Sequence, residues 1–245
     1  MITYFLLTQP GDRDNNEDNI GMYQAGTDYC FVLADGLGGH GSGEVASEIA
    51  VKEMISAFAE KGSASEECLK TAFWNAENAI IRRQREDRSC MDMKTTCVAL
   101  LIGKETVQWG HVGDSRLYYF KNGKLLQRTL DHSVPQLLAS AGQIREKEIR
   151  HHPDRNRLLR VMGIEWEDAR FELSDVGTRE GRQAFLLCSD GFWELIDEKK
   201  MESTLKRATS PESWIESMEE IVRKNGRGKN MDNYSAIGIM IDREE

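Results

Sequence analysis

The chain has 245 residues, 40% of them hydrophobic and 30% charged, with a formal net charge of −9. That length allows a sizeable buried core, and the acidity argues against nucleic acid as a partner, which would call for a basic stripe. The five cysteines (30, 68, 90, 97, 188) form no C-x-x-C pair, the apolar N-terminal run is too short for a secretion leader, and no stretch is long enough to span a membrane, so reduced thiols in the cytoplasm are expected.

Residues 2–8 read as a first strand, closed by the turn signal Gln9-Pro10-Gly11, and a polar loop follows over 11–18. A second strand covers 19–23. Phe31-Val32-Leu33-Ala34 reads as a buried strand that ends on Asp35 and a glycine-rich turn. The next segment, 42–60, carries Ala46, Ile49, Ala50, Met54, Ala57 and Phe58 on one helical face, and Gly62 ends it. Ser63 with Glu66 predicts a capping box for a second helix, with Leu69, Ala72, Phe73, Ala76 and Ile80 as its stripe and an exposed charged tail at 82–88.

Four short strands follow at 96–102, 106–112, 115–120 and 124–128; Asn122-Gly123 suits a type I′ hairpin, so the sheet here is antiparallel. Residues 134–141 predict a short helix inside an irregular stretch, about 134–160, of the kind that serves as a flap or lid. Strands at 169–173 and 185–188, a helix at 198–208, a helix from Ser210-Pro211 to Asn225-Gly226 and a strand at 234–241 complete the order. This order predicts an α+β fold, an αββα four-layer sandwich. Two antiparallel sheets pack face to face, with a helix pair on each outer side, in one domain over residues 1–245.

Acids recur where strands begin or end: Glu17 and Asp18, Asp35, Asp114, Asp190 and Asp232. Like charges repel and a buried carboxylate without a positive partner is costly, so their convergence would require cations. Oxygen ligands without Cys/His pairs suit Mg²⁺ or Mn²⁺ better than zinc. Two such ions roughly 3.5–4 Å apart can activate water and grip a phosphoryl oxygen. Arg13, shortly before Glu17, is a candidate for holding two phosphate oxygens at once.

Each signal alone has a plainer reading. Asp-Gly is usually a turn, Arg13 a surface charge, and Asp114 a turn-former. Residues 36–41 also satisfy the dinucleotide pattern G-x-G-x-x-G. Asp35 would then aim a carboxylate at the pyrophosphate, and the following helix leads to a second helix rather than a parallel strand. His111, Trp109 and Trp214 read as packed residues; His132, His151 and His152 read as loop residues.

Taken in order, Arg13 with Asn16-Glu17-Asp18, Asp35-Gly36-Leu37-Gly38-Gly39-His40, Thr95-Thr96, Gly113-Asp114-Ser115-Arg116, Asp131-His132-Ser133, Ser189-Asp190-Gly191 and Asp232-Asn233 resemble the metal-dependent type 2C serine/threonine protein phosphatases in their compact bacterial form. The resemblance covers nearly the whole chain and implies one catalytic phosphatase domain of αββα fold. It implies hydrolysis of phosphoserine and phosphothreonine on proteins by direct attack of a hydroxide bridging two Mg²⁺ or Mn²⁺ ions. It further implies Asp35 as the bridging acid, the Gly36 carbonyl and Glu17 on one side, and Asp190 and Asp232 on the other. Asp114 with Asp190 would hold a third, weaker ion, Asp18 would orient water, and Arg13 would hold the phosphate.

Leu37 stands where other members have a histidine, which leaves His40 or water on the third ion as the proton donor. Lys94 stands where the family usually has glycine. The implied partners are phosphorylated proteins, including a serine/threonine kinase or its substrates, with neither nucleic acid nor membrane. The alternative is a weak or inactive module of the same fold that binds phosphoproteins or a regulatory partner; the retained acids disfavour it.

Overall fold

The computed structural model describes residues 1–38 and 42–242. In chain order the strands are β1 (Ile2–Gln9), β2 (Asp18–Ala25), β3 (Asp28–Leu37), β4 (Lys94–Thr95), β5 (Cys97–Ile102), β6 (Thr106–Val112), β7 (Arg116–Lys121), β8 (Lys124–Arg128), β9 (Glu172–Leu173), β10 (Gly177–Thr178), β11 (Gln183–Cys188) and β12 (Tyr234–Ile241). The helices are α1 (Gly43–Lys61), α2 (Glu66–Glu86), α3 (Val134–Ser140), α4 (Asp190–Trp193), α5 (Glu198–Arg207) and α6 (Pro211–Gly226). One sheet has the order β1-β12-β11-β7-β8; the other has β10-β6-β5-β3-β2, with β4 and β9 pairing at its margins. All the pairings are antiparallel.

Alternation along the strands sorts side chains into three apolar layers. Cys30, Val32 and Ala34 of β3 meet Ala46, Ala50 and Met54 of α1 and Phe73 of α2. Phe31 and Leu33 face the opposite way and pack between the sheets with Val98, Leu100, Leu117, Phe185, Leu187, Ile237 and Ile239. Leu186, Tyr118, Trp214, Ile215 and Met218 form the third layer, between the five-stranded sheet and α5 and α6. This is the expected αββα sandwich.

The local differences have physical causes. Ser65, not Ser63, is the N-cap of α2, and its hydroxyl accepts the Cys68 N–H at 3.2 Å. The helix continues through its charged tail because Gln84 donates to the Met93 and Gly163 carbonyls at 2.8 and 2.9 Å. β3 runs past Ala34 to Leu37 because β4 adds a partner there, pairing Gly36 with Thr95 and Leu37 with Lys94. The strand expected at 169–173 is confined to Glu172–Leu173, against β6. α3 forms as expected, with Ser133 accepting the Gln136 N–H. All five cysteines are unpaired and buried. No helix among the described residues is long and apolar enough to cross a membrane.

Candidate metal centre

At one end of the inter-sheet layer the same strand faces change from apolar to polar. On β3, Phe31 and Leu33 are followed in the same alternation by Asp35. Ile20 is preceded by Asp18, Val98 by Thr96, Leu117 by Ser115 and Ile237 by Ser235, while Leu187 is followed by Ser189. The hydroxyls bind one another and the acids. Thr96 Oγ1 and Ser115 Oγ are 2.7 Å apart, the Asp35 N–H donates to Thr96 Oγ1 at 3.0 Å, and Ser189 Oγ donates to Asp18 Oδ2 at 2.7 Å.

A cavity of about 220 Å³ opens at this end, lined by Arg13, Glu17, Asp35, Gly36, Asp114, Asp190 and Asp232. Asn156 and Leu158, from the irregular 134–160 stretch, form part of its wall. Asp18 does not line it; it lies directly across from Asp35 in the β2–β3 register. His40 lies outside the described residues. Lys94 pairs with Leu37, itself a lining residue, so the two share one face of the sheet.

Close backbone approaches bring the acids together. A Cβ on Gly36 would lie 2.2 Å from the Gly43 carbonyl oxygen, so the end of β3 and the start of α1 meet backbone to backbone. Glu17 lies at the same junction, where the positive end of the α1 dipole favours a carboxylate. On the far side, a Cβ on Gly191 would be 2.1 Å from the Asn233 carbonyl oxygen; that contact sets Asp190 beside Asp232. Asn233 ties the loop to the sheet. Its Oδ1 accepts the Glu17 N–H at 2.8 Å, and its Nδ2 donates to the Pro10 and Asn15 carbonyls, both at 2.8 Å.

Arg13 stands at the rim, and its Nη2 donates to Asp232 Oδ2 at 2.9 Å. Among the described residues, Glu17, Asp35, Asp114 and Asp190 have no ion-pair partner. Their affinity for protons reflects that. Burial, then repulsion from Asp18, Asp190, Asp114 and Asp232, holds the Asp35 carboxyl well above the usual range. Burial and Asp190 do the same to Asp114. Asp190 is pushed up to about 6, chiefly by burial and then by Asp232. Asp18 is pushed up to about 7 by burial, against the opposing Ser189 and Ser235 hydroxyls. Glu17 rises through burial and the charges of Glu44 and Asp232.

A hard divalent cation fits this set. The donors are all oxygen, they converge from separate strand ends, and their mutual repulsion is what a doubly charged ion removes. Asp18 Oδ1 is buried with no hydrogen-bond partner, a sign that the local polar network is incomplete in protein atoms alone.

A second cluster, His111, His132 and Glu172, has ligand atoms close together but does not suit an ion. The imidazoles are stacked, 4.6 Å between centroids and 12° between planes, so their in-plane lone pairs do not converge. The Gly113 N–H donates to His132 Nδ1 at 3.1 Å, which places that neutral ring's proton on Nε2, facing Glu172 at 3.1 Å. Burial and then His111 lower His132 to about 4. The ring's evident role is to hold the turn that carries Asp114. Sequence spacing gave no sign of the Glu172 partner, which lies on β9, far along the chain from the His132 loop; nor did it reveal the ties made by Asn233, Thr96 and Ser189.

The Protein phosphatase 2C family profile matches residues 11–232. The serine/threonine phosphatase stp of Listeria welshimeri is 32% identical over 92% of this chain and 90% of its own length. Among solved structures, the serine/threonine phosphatase Stp1 of Staphylococcus aureus has a TM-score of 0.88 at 28% identity, covering 99% of this chain and 96% of that one. The catalytic domain of the serine/threonine protein phosphatase PstP, solved with two manganese ions, has a TM-score of 0.81 at 25% identity, covering 98% and 99%.

Proposed function

The chain belongs to the protein phosphatase 2C family, and from that premise we propose that its acid pocket hydrolyses phosphoserine and phosphothreonine monoesters on proteins with two core divalent ions, Mn²⁺ or Mg²⁺. It is a serine/threonine phosphatase. The observation that carries the finer reading is the convergence of Glu17, Asp35, Asp114, Asp190 and Asp232 on one cavity, with Arg13 as the adjoining cation. Asp35 would bridge the two core ions, with Glu17 and the Gly36 carbonyl toward one and Asp190 and Asp232 toward the other. Asp114 and Asp190 would take a third, weaker ion. Bound there, such ions polarise a phosphoryl group and acidify water at neutral pH.

The chain's own groups supply the rest. Arg13 and Asp232 form a half-exposed pair, 2.9 Å apart with side chains 49% and 47% exposed. Such pairs stabilise by only about 0–1 kcal/mol, so the guanidinium can exchange the carboxylate for two phosphate oxygens. Asp18, held by Ser189 and opposite Asp35 in the β2–β3 register, would orient water there. Asn156 and Leu158 restrict solvent at the cavity wall. We read residues 1–245 as one catalytic domain and 134–160 as its flap. Its partners are phosphorylated proteins, among them a serine/threonine kinase or that kinase's substrates.

Phosphate release from a phosphothreonine peptide tests the reading. Release is expected with Mn²⁺ and is expected to stop with a chelator or with Asp190→Asn. Well-folded protein that releases no phosphate under saturating Mn²⁺ would sink it.

A further inference from the structure

We propose that Trp193 is a positioning residue for the acid pocket, locking the Asp114 turn against the helix that begins at Asp190. The inference rests on the metal reading given above. Trp193 is the last residue of α4 and is 2% exposed. Its indole Nε1–H donates to the Asp114 backbone carbonyl at 3.0 Å. One side chain thus joins the two pocket acids assigned to the weaker ion.

The indole is itself held from several directions. The Arg116 guanidinium carbon is 3.4 Å from the ring centroid, within cation–π range. That guanidinium is buried and fixed by two 2.7 Å hydrogen bonds to Asp131, with a third to the Tyr118 hydroxyl at 2.9 Å. The Trp193 carbonyl accepts from Arg150 at 2.8 Å, which ties the same residue to the 134–160 stretch. The Asp114 turn is braced opposite by His132, whose backbone N–H donates to the Gly113 carbonyl at 2.9 Å. Removing the indole N–H leaves the Asp114 carbonyl short of a donor and frees the turn on its Trp193 side.

A tryptophan that merely fills space would behave differently, and the fold provides the control. Trp214 is buried in the same apolar layer, and its indole N–H also donates to a backbone carbonyl, that of Met201 at 3.2 Å, away from the pocket. Calorimetric titration of the full chain with Mn²⁺ is the test, comparing wild type with Trp193→Phe, Trp214→Phe and Asp114→Asn. The weakest binding step is expected to vanish in Asp114→Asn and to weaken about tenfold in Trp193→Phe, the size of one lost hydrogen bond. Trp214→Phe is expected to lower the melting temperature and leave all Mn²⁺ affinities unchanged. At saturating Mn²⁺ the kcat of Trp193→Phe is expected to return toward that of wild type.

Wild-type Mn²⁺ affinities in Trp193→Phe, or equal weakening in Trp214→Phe, would overturn the proposal. An unchanged weakest step in Asp114→Asn would remove the metal reading of Asp114 and this inference with it. If Trp193→Phe does not fold, 3-benzothienylalanine at 193 keeps the ring shape without the N–H and is read the same way.

Discussion

The two ends of the inter-sheet layer are made by the same strands and serve opposite purposes. At one end Phe31, Leu33, Val98, Leu100, Phe185 and Ile237 are fully buried and close-packed. At the other, two to four residues along, the same faces carry Asp18, Asp35, Thr96, Ser115, Ser189 and Ser235. The apolar end gains free energy from every group it hides from water. The acid end loses free energy through burial and repulsion, and it persists because the rest of the layer holds the strands in register.

Substitutions at the two ends should therefore move stability in opposite directions. Phe185→Ala, in the apolar end, is expected to lower unfolding free energy by about 3–5 kcal/mol, measured by urea denaturation. Asp35→Asn should abolish most turnover, on the order of a thousandfold, while raising the stability of the metal-free protein by about 0.5–2 kcal/mol. A loss of metal-free stability in Asp35→Asn would break the comparison.

Glu77 sharpens it, because this carboxyl is buried on the inner face of α2, away from the acid cavity. Its Oε2 accepts the Gly163 N–H at 2.8 Å and its Oε1 has no partner. Burial pushes it from 4.5 to about 7. The folded state thus holds a proton that the unfolded chain has lost between those values. Its own contribution to stability should fall as pH rises from 4.5 to 7 and level off above, by roughly 3 kcal/mol, in addition to the fall that Asp18 and Asp190 impose over the same range in the metal-free protein. Glu77→Gln should remove that share of the slope and leave the pocket acids' share, in denaturation of the metal-free protein measured across pH 4 to 8. One carboxyl settles its burial with a proton; a group of them calls for ions.

The smallest effect on stability belongs to the rim. Arg13→Ala should change unfolding free energy by less than about 1 kcal/mol, because its partner is half-exposed. It should nevertheless raise KM for a phosphopeptide roughly tenfold or more, since a charge-assisted hydrogen bond to phosphate is lost. An unchanged KM would remove Arg13 from phosphate binding.

Much of this was legible in the residues because it is local. The continuous apolar runs at 31–34 and 185–188, the Asn122-Gly123 hairpin and the helical stripes of α1 and α6 each depend on neighbours within a few positions. The acids at strand ends were legible for the same reason. Cap choice was not: Ser63 and Ser65 are both competent, and only the extended backbone at Ser65 selects it. The Asp190–Trp193 helix was missed because four residues carry too little periodicity to register.

From sequence alone came the four layers, the positions of the acids and the motif series shared with one family, all carried by short-range pattern and order. Only the tertiary structure decided that Glu17, Asp35, Asp114, Asp190 and Asp232 share one cavity while Asp18 lies beside it, that Arg13 meets Asp232, that Asn233 and Trp193 tie separate elements at the pocket, and that His111 stacks on His132. These depend on backbone approaches such as Gly36 to Gly43 and Gly191 to Asn233, and on the relative register of two sheets. Contacts between residues so distant along the chain leave no periodic trace in it.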